Sequence, residues 1–393
     1  MNHSQTGSSR RQLLIFIGIL LIATNLRAPF TGLPPLLPLI QTDFALSTVA
    51  TGALTTLPLL AFALLSPVSA LFARKFGLEK ALFIAVLTIA IGILLRSVGH
   101  VWSLFLGTWV LGMGIAAGNV LLPSVVKRDF PNKVAALTGA YALTMGIAAA
   151  LGSATAIPLA QHFGWQWALL ALLLLPISTL LVWSTQLKSA QAIDSHNTQM
   201  STQNSIWRSA LAWQVTLFLG LNSTIYYVIV GWLPSILADA GLSATEAGSL
   251  HGIMQLATAL PGLIIAPILH RLHDQRIPAV TVAACSAIAL LGLWLAPQFA
   301  LLWSIFFGIG TGAGIILGLA FIGLRTHNAQ QAAALSGMSQ CIGYLLAAVG
   351  PMLFGALHDV FAGWHVVLIL CTLLAVLIGI IGLWVGRNRQ MTD

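Results

Sequence analysis

The chain is written almost entirely as apolar runs about 20 residues long or longer, parted by short polar or basic links. That pattern fixes its solvent. In lipid every backbone N–H and C=O must be satisfied inside the protein, which leaves helices or a closed β-barrel. A barrel would show alternating segments of about 10 residues, and these runs are continuous. An all-α membrane protein is therefore expected, with twelve transmembrane helices at about 13–40, 49–73, 80–98, 101–126, 134–160, 166–186, 211–238, 245–270, 277–296, 299–325, 331–357 and 363–386. Only 7% of the residues are charged, against about 25% in soluble domains. A soluble enzyme, a disordered chain and a peripheral membrane protein are all excluded. The basic N-terminus MNHSQTGSSRRQ resembles the start of a signal peptide. The run from Leu13 to Ile40 is too long for one and lacks a small-residue cleavage site, so it reads as a retained first helix.

The longest polar stretch, residues 188–208, divides the chain nearly in half. It reads as a cytoplasmic linker between an N-terminal six-helix bundle, 1–187, and a C-terminal six-helix bundle, 209–393. With the N-terminus inside, 15 of the 17 Lys and Arg residues fall on cytoplasmic segments. Arg96 is left at an outer helix end, where it could snorkel, and Arg27 lies within the first span. This asymmetry predicts both termini in the cytoplasm, and it explains the net charge of +8 without nucleic acid. Cys285, Cys341 and Cys371 sit in apolar segments with no CxxC, as small packing residues. The halves repeat. Gly112 and Gly114 match Gly310 and Gly312, and Gly139 and Gly152 match Gly337 and Gly350, at an offset of 198. Leu46-Ser47 matches Leu242-Ser243 at 196, and Pro35 matches Pro234 at 199. Two parallel, pseudo-symmetric six-helix halves are the architecture of the major facilitator fold.

Arg27 is the sharpest chemical feature. It stands near mid-membrane, where a cation costs at least about 2.5–3.5 kcal/mol. All nine acidic residues lie in loops or at span ends, so no intramembrane carboxylate is available to it. Either it faces a water-filled cavity and binds an anionic or dipolar substrate, or it bonds helix carbonyls structurally; the first reading is favoured. Polar residues at similar depth complete the candidate substrate-binding set: Asn25, Asn119, Tyr141, Asn222, Tyr226, Tyr227, His251, Gln255 and Gln340, with Thr31, Thr55, Thr56, Thr144 and Tyr344 beside them. Tyr226 occupies the repeat position of Arg27, so both are expected to face the axis. His251 is the histidine placed clearly inside a span, and it makes protons the candidate coupling ion. The glycine clusters of spans four and ten have no strand before them and read as surfaces for close helix packing. No Walker A, HExxH or GxSxG sequence occurs. No enzyme, no catalytic residue, no metal site and no cofactor are expected.

Several segments resemble the cyanate/2-nitroimidazole transporter family of the major facilitator superfamily. They are Asn25-Leu26-Arg27 with Thr31 and Pro34-Pro35, Thr55-Thr56-Leu57-Pro58, Gly118-Asn119-Val120-Leu121-Leu122-Pro123, Gly231-Trp232-Leu233-Pro234, Gly248-Ser249-Leu250-His251-Gly252, and Ala333-Ala334-Leu335-Ser336-Gly337-Met338. The likeness covers nearly the whole chain and is nearer to the nitroimidazole branch. It implies a secondary transporter of the bacterial inner membrane, working by alternating access on a small nitrogen-containing anion or heteroaromatic, with efflux the expected direction. The loop Ala73–Lys80 stands where major facilitators carry a D-R-x-G-R-[RK] gate sequence, but Arg74 replaces the acid and Leu78 and Glu79 replace basic residues. Arg74, Lys75 and, in the second half, Asp274 are gating candidates, with plain topogenic charge the equal alternative. Expected partners are a small-molecule substrate and the lipid bilayer, with the chain acting as a monomer. A carrier of another anion, such as a carboxylate, and a passive channel are the rival readings.

Overall fold

The computed structural model describes residues 3–189, 206–262, 264, 272, 274–327 and 329–391. Among these, eleven helical stretches are long and apolar enough to cross a membrane. The remaining expected span, 245–270, is helical over Ala244–Ala259 and then runs onto residues outside the described part. Residues 190–205 also lie outside it, and the domain division at 188–208 remains our proposal.

The first span is not one helix. It is built from α1 (His3–Asn25), α2 (Ala28–Thr31) and α3 (Leu37–Phe44), with a short 3-10 turn at Pro34–Leu36. Prolines cause this. Pro29 in a continuous helix would remove a hydrogen bond and press on the carbonyl of Asn25. The helix instead stops at Asn25 and restarts with Pro29 in the first turn of α2, where proline is tolerated. Leu26 and Arg27 form the break.

The rest of the N-terminal half is α4 (Thr48–Phe76), α5 (Leu78–Arg96), α6 (Val101–Asp129), α7 (Val134–Phe163), α8 (Trp165–Ala171) and α9 (Leu174–Trp183). The second half holds α10 (Ala210–Asp239), α11 (Ala244–Ala259), α12 (Arg276–Leu295), α13 (Ala300–Leu324), α14 (Ala329–Phe361) and α15 (His365–Val385). Ser47 and Ser243, matched by the repeat, both cap helices. Ser47 accepts a bond from the Ala50 amide, and Ser243 forms a full capping box with Glu246.

Packing corrects the repeat register in the glycine-rich helices. A Cβ on Gly112 would lie 2.7 Å from Cα of Pro58. The position making the same contact in the other half is Gly308, against the carbonyl of Met254 at 2.5 Å. Gly114 meets the Ala85 carbonyl at 2.5 Å, and Gly310 meets the Ser286 amide at 2.9 Å. The structural offset here is thus 196, not the 198 read from the sequence.

The halves touch along two antiparallel pairs, α4 with α14 and α7 with α11. Backbones approach closely at the ends far from Phe76 and Val134. There Thr56 donates to the Ala348 carbonyl at 2.7 Å, and Cβ atoms on Gly52 and Gly252 would lie 2.8 Å from the Pro351 carbonyl and 2.7 Å from that of Ala150. This end of the molecule is sealed by backbone-to-backbone approach of small residues.

The opposite end carries the basic segments. Each half there ties the end of its fourth helix to the start of its third. Arg128 pairs with Glu79 at 2.7 Å, and Arg325 donates to the Gln275 amide oxygen at 2.5 Å. Among the described residues, neither Asp274 nor Lys75 is seen to bond across the halves. Asp274 is held by its near neighbour Arg276 at 2.6 Å, which keeps its carboxyl below the usual aspartate range. Lys75 is exposed, over the ring of Phe76, and the side chain of Arg74 lies outside the described part.

Arg96 does not snorkel to a surface. It is fully buried and donates to the Pro29 carbonyl at 2.7 Å, pinning the interrupted first span. The segment after Pro29 turns out of helical geometry at Gly32–Leu33, and Pro34 and Pro35 bring no N–H, so a guanidinium serves where a helix amide would have stood.

A leucine at Gly52 has no room without parting the halves at the sealed end. In a Gly52→Leu variant with a reporter cysteine at Ala348 and the native cysteines removed, labelling by a membrane-impermeant maleimide should rise about tenfold, an opening bias of ~1.4 kcal/mol. Unchanged labelling would show that the seal is not made there.

Candidate functional site

A cavity of about 560 Å³ lies between the halves. Its walls come from the break after α1 and from α6–α7 on one side and α11 and α13 on the other, with Arg27 at its inner end. Asn119, Tyr141 and Gln255 face it, as do Met145, Thr138 and Thr258. Pro123, Thr138, Gly262 and Leu319 lie toward the basic ends of their helices. The cavity therefore extends toward the basic face and stops short of the sealed one. A smaller lobe of about 130 Å³ continues past Arg27, between α10, α13 and α14, with Ser223, Tyr227, Ser339, Gln340 and Tyr344 in its wall. Arg27 is common to both lobes and is the one charged side chain among their lining residues.

The break in the first span is what places this guanidinium. Arg27 sits between α1 and α2 with non-helical dihedrals, near the middle of the span 11–44. Non-helical backbone at that depth is tolerated where it borders a cavity. Among the described residues its guanidinium makes one hydrogen bond, to the hydroxyl of Tyr226, so most of its donors are left for a ligand. The Tyr226 hydroxyl passes the bond on to Oε1 of Gln255 at 2.8 Å. Nε2 of Gln255 is buried without a partner among the described residues. Arg27–Tyr226–Gln255 is thus a polar chain that begins on the N-terminal half and ends on the C-terminal half.

Aromatic rings surround it. The Arg27 guanidinium lies 5.3 Å from the Tyr226 ring centroid, within cation–π range. Tyr226 and Tyr227 meet at 5.0 Å, Phe30 and Tyr227 at 5.7 Å, and Phe62 and Tyr344 at 5.5 Å, all near edge-on. Such a pocket can hold a flat solute by its ring and fix its anionic or dipolar group on the guanidinium.

Three candidates point elsewhere. Asn25 turns toward α9, where its Nδ2 donates to the Leu21 carbonyl and to Thr179, both at 2.8 Å. It holds the frayed end of α1. Asn222 donates to the Thr311 carbonyl at 3.0 Å and packs against Gly314. His251 is fully buried at the sealed end, with Nδ1 2.6 Å from Ser153 Oγ of the other half. It is an interface residue, one turn from Gln255, and is not among the residues lining the cavity. The expected set lacked Ser223, Ser339, Thr138 and Met145. Lone hydroxyls in apolar helices mostly bond their own or a neighbouring helix, and the sequence carries no signal to separate these.

Two helical bundles around a largely apolar cavity, which has one arginine at its inner end and stops short of the sealed end, define a carrier-type membrane transporter. The sequence matches the Major Facilitator Superfamily over residues 15–348, and the chain belongs to that family. It is 53% identical to the 2-nitroimidazole transporter of Escherichia coli strain K12, over the full length of both chains. It is 28% identical to the cyanate transport protein CynX of the same organism, over 87% of this chain and 89% of that one. Among solved structures it is similar in fold to the nucleoside transporter NupG, with a TM-score of 0.77 and 13% identity, covering 95% of this chain and all of that one. The likeness is nearer to the nitroimidazole branch than to the cyanate branch, and these relatives are transporters, not enzymes.

Tyr226→Phe removes the hydroxyl that joins Arg27 to Gln255 while keeping the ring. Ligand affinity should rise about tenfold, since the ligand no longer has to displace a hydrogen bond to a charged group worth ~1.5–3 kcal/mol, and the melting temperature of the empty protein should fall. A titration of wild type and variant with the best ligand checks this. Equal affinities would place the hydroxyl outside the binding event.

Proposed function

We propose that this protein is a secondary transporter for a small, flat, nitrogen-containing solute of the 2-nitroimidazole kind, bound at Arg27. The observation that carries the reading is the Arg27 guanidinium, set at a helix break between two cavity lobes, with hydroxyls, rings and no carboxylate among its lining neighbours. A nitro group offers two oxygens to the guanidinium fork, and the tyrosine rings accept the heterocycle. The similarity to the 2-nitroimidazole transporter supports the same solute class.

The lysine and arginine distribution supports the basic face as the cytoplasmic one, in a bacterial inner membrane, with both termini inside. In that orientation the cavity is open to the cytoplasm. The halves then rock about the two antiparallel helix pairs to expose Arg27 on the other side. The direction we infer is efflux, on the family likeness, and the described conformation is its loading state. The chain acts as a monomer in this reading. A proton carrier at His251 has less support, because the imidazole is locked against Ser153 and does not border the cavity. The gating role of Arg74, Lys75 and Asp274 has none from the local pairing of Asp274.

The test is a thermal-shift titration of the purified protein with 2-nitroimidazole, imidazole, cyanate, nitrate and small carboxylates, with Arg27→Ala alongside. A ligand at 100 times its Kd stabilises the folded form by about 2.7 kcal/mol. The expected result is a shift with 2-nitroimidazole that is absent with imidazole and absent in Arg27→Ala, which should still fold. A shift only with a carboxylate would keep the site and replace the substrate. Failure of Arg27→Ala to fold would assign Arg27 a structural role. Trans-stimulated exchange in vesicles separates the carrier from a passive channel.

A further inference from the structure

Three arginines converge on a groove at the basic face, away from the central cavity. The groove, about 790 Å³, lies between the start of α10 and the segment that follows α15. Arg208, Arg387 and Arg389 line it with Trp384 and Gln390. All three arginines are exposed. The ion pairs among the described residues involve Arg128, Arg276 and His358, and none of these three.

The groove is built, not a chance gathering of a loose tail. The Gly386 carbonyl accepts the Gln275 amide at 2.9 Å, and the Met391 amide donates to the Arg325 carbonyl at 2.9 Å. The Met391 side chain is buried. The turn bearing Arg387 and Arg389 is therefore tied at both ends to the helical body.

Its depth and surroundings point to lipid. Trp384, Trp207 and Trp213 are exposed around it, and Trp213 Nε1 donates to the Trp207 carbonyl at 2.9 Å. Tryptophans at helix ends mark the headgroup level of a bilayer. Below the groove, Leu373, Leu377, Ile380 and Trp384 are all exposed along α15. Their spacing of three and four puts them on one face of the helix, a continuous apolar stripe leading from the arginines toward the membrane centre. A free anion would use the arginines but not the stripe. A two-chain phospholipid with an acidic headgroup uses both.

We propose that this groove binds the phosphate of an anionic phospholipid, with an acyl chain lying on the α15 stripe. Arginine is suited to it because the guanidinium fork bonds phosphate oxygens bidentately. The site lies outside the Arg27 cavity, so solute binding does not depend on these arginines.

The experiment uses the full-length protein in a neutral detergent. Dioleoyl-phosphatidylglycerol, dioleoyl-phosphatidylcholine and glycerol 3-phosphate are each titrated against wild type and an Arg208→Gln/Arg387→Gln/Arg389→Gln variant, reading bound lipid by native mass spectrometry and stability by thermal shift. The expected result is retention of phosphatidylglycerol over phosphatidylcholine by the wild type, at least tenfold weaker in the variant. Equal retention of the two lipids, or full retention by the variant, overturns the proposal. An equal shift with glycerol 3-phosphate overturns the lipid assignment and leaves a site for a soluble phosphate. If the triple variant does not fold, Arg389→Gln, which lies beyond α15, must by itself weaken phosphatidylglycerol retention, and an unchanged value overturns the proposal.

Discussion

Guanidinium groups buried without carboxylates govern this structure. The nine acidic residues all fall near the ends of spans or in links, so a buried arginine must be answered by neutral oxygen. Arg27 is met by the Tyr226 hydroxyl, Arg96 by the Pro29 carbonyl, and Arg325 by the Val385 carbonyl and the Gln275 amide. Among the described residues arginines meet carboxylates only at the basic face, Arg128 with Glu79 and Asp129 and Arg276 with Asp274. A dipole partner leaves more of the cation's field uncancelled than an ion pair does, and low-dielectric walls preserve that field. Arg96 and Arg325 are walled in, so their charge holds helices together. Arg27 borders a cavity, so its charge is open to a solute. The same chemistry becomes structure or site according to what the neighbouring helices leave empty.

The first span shows how the two uses are joined. Pro29 ends α1 two residues short of the arginine, and Pro34 and Pro35 prevent α2 from running on. The broken backbone has orphaned groups on both sides. Asn25 and Thr179 close one side at the Leu21 carbonyl, and Arg96, from α5, closes the other. Two of the spans around the first are thereby committed to holding a few non-helical residues in place. A continuous helix would need none of these contacts, but it would point residue 27 wherever its helical phase fell. The break fixes Arg27 on the axis independently of that phase.

Much of this was legible in the residues. The spans, the two halves and the isolation of Arg27 follow from apolar run length, basic-residue placement and the lack of acids at depth. Arg27 was matched to Tyr226 at an offset of 199, but Gly118 against Leu26 and Gly314 against Asn222 set the structural offset at 196, so Ser223 holds the repeat position and Tyr226 lies three residues further on. What sequence could not resolve was which way a polar side chain turns. Asn25 and Gln255 look alike as amides inside apolar helices, yet one bonds its own helix and α9 while the other faces the cavity. His251 read as a membrane histidine at a functional depth, and only the packing of α7 on α11 shows that it belongs to the seal. Glycines misled in a different way. With so many in α6 and α13, more than one register matches, and only the partner on the facing helix decides between 196 and 198.

The Arg27–Tyr226–Gln255 chain also suggests how occupancy can bias the halves. Tyr226 and Gln255 belong to the C-terminal half and Arg27 to the N-terminal half, so the bond between Arg27 and Tyr226 crosses from one half to the other, where they would part in the alternating access we propose. A solute group with two acceptor oxygens competes with the tyrosine for the guanidinium. It can replace that link by a bond of greater strength, since an anionic or strongly dipolar acceptor outbids a neutral hydroxyl. The empty protein is thus held by a polar tie at mid-membrane and by small-residue contacts at the sealed end. The loaded protein keeps only the second. Those contacts are close approaches of small residues and neutral hydrogen bonds, Thr56 to the Ala348 carbonyl and Ser153 with His251, and they can be exchanged for similar contacts on the other face at little net cost. A ligand shifts such an equilibrium only by its differential affinity for the two states, and the bond it takes over at Arg27 is where that difference arises.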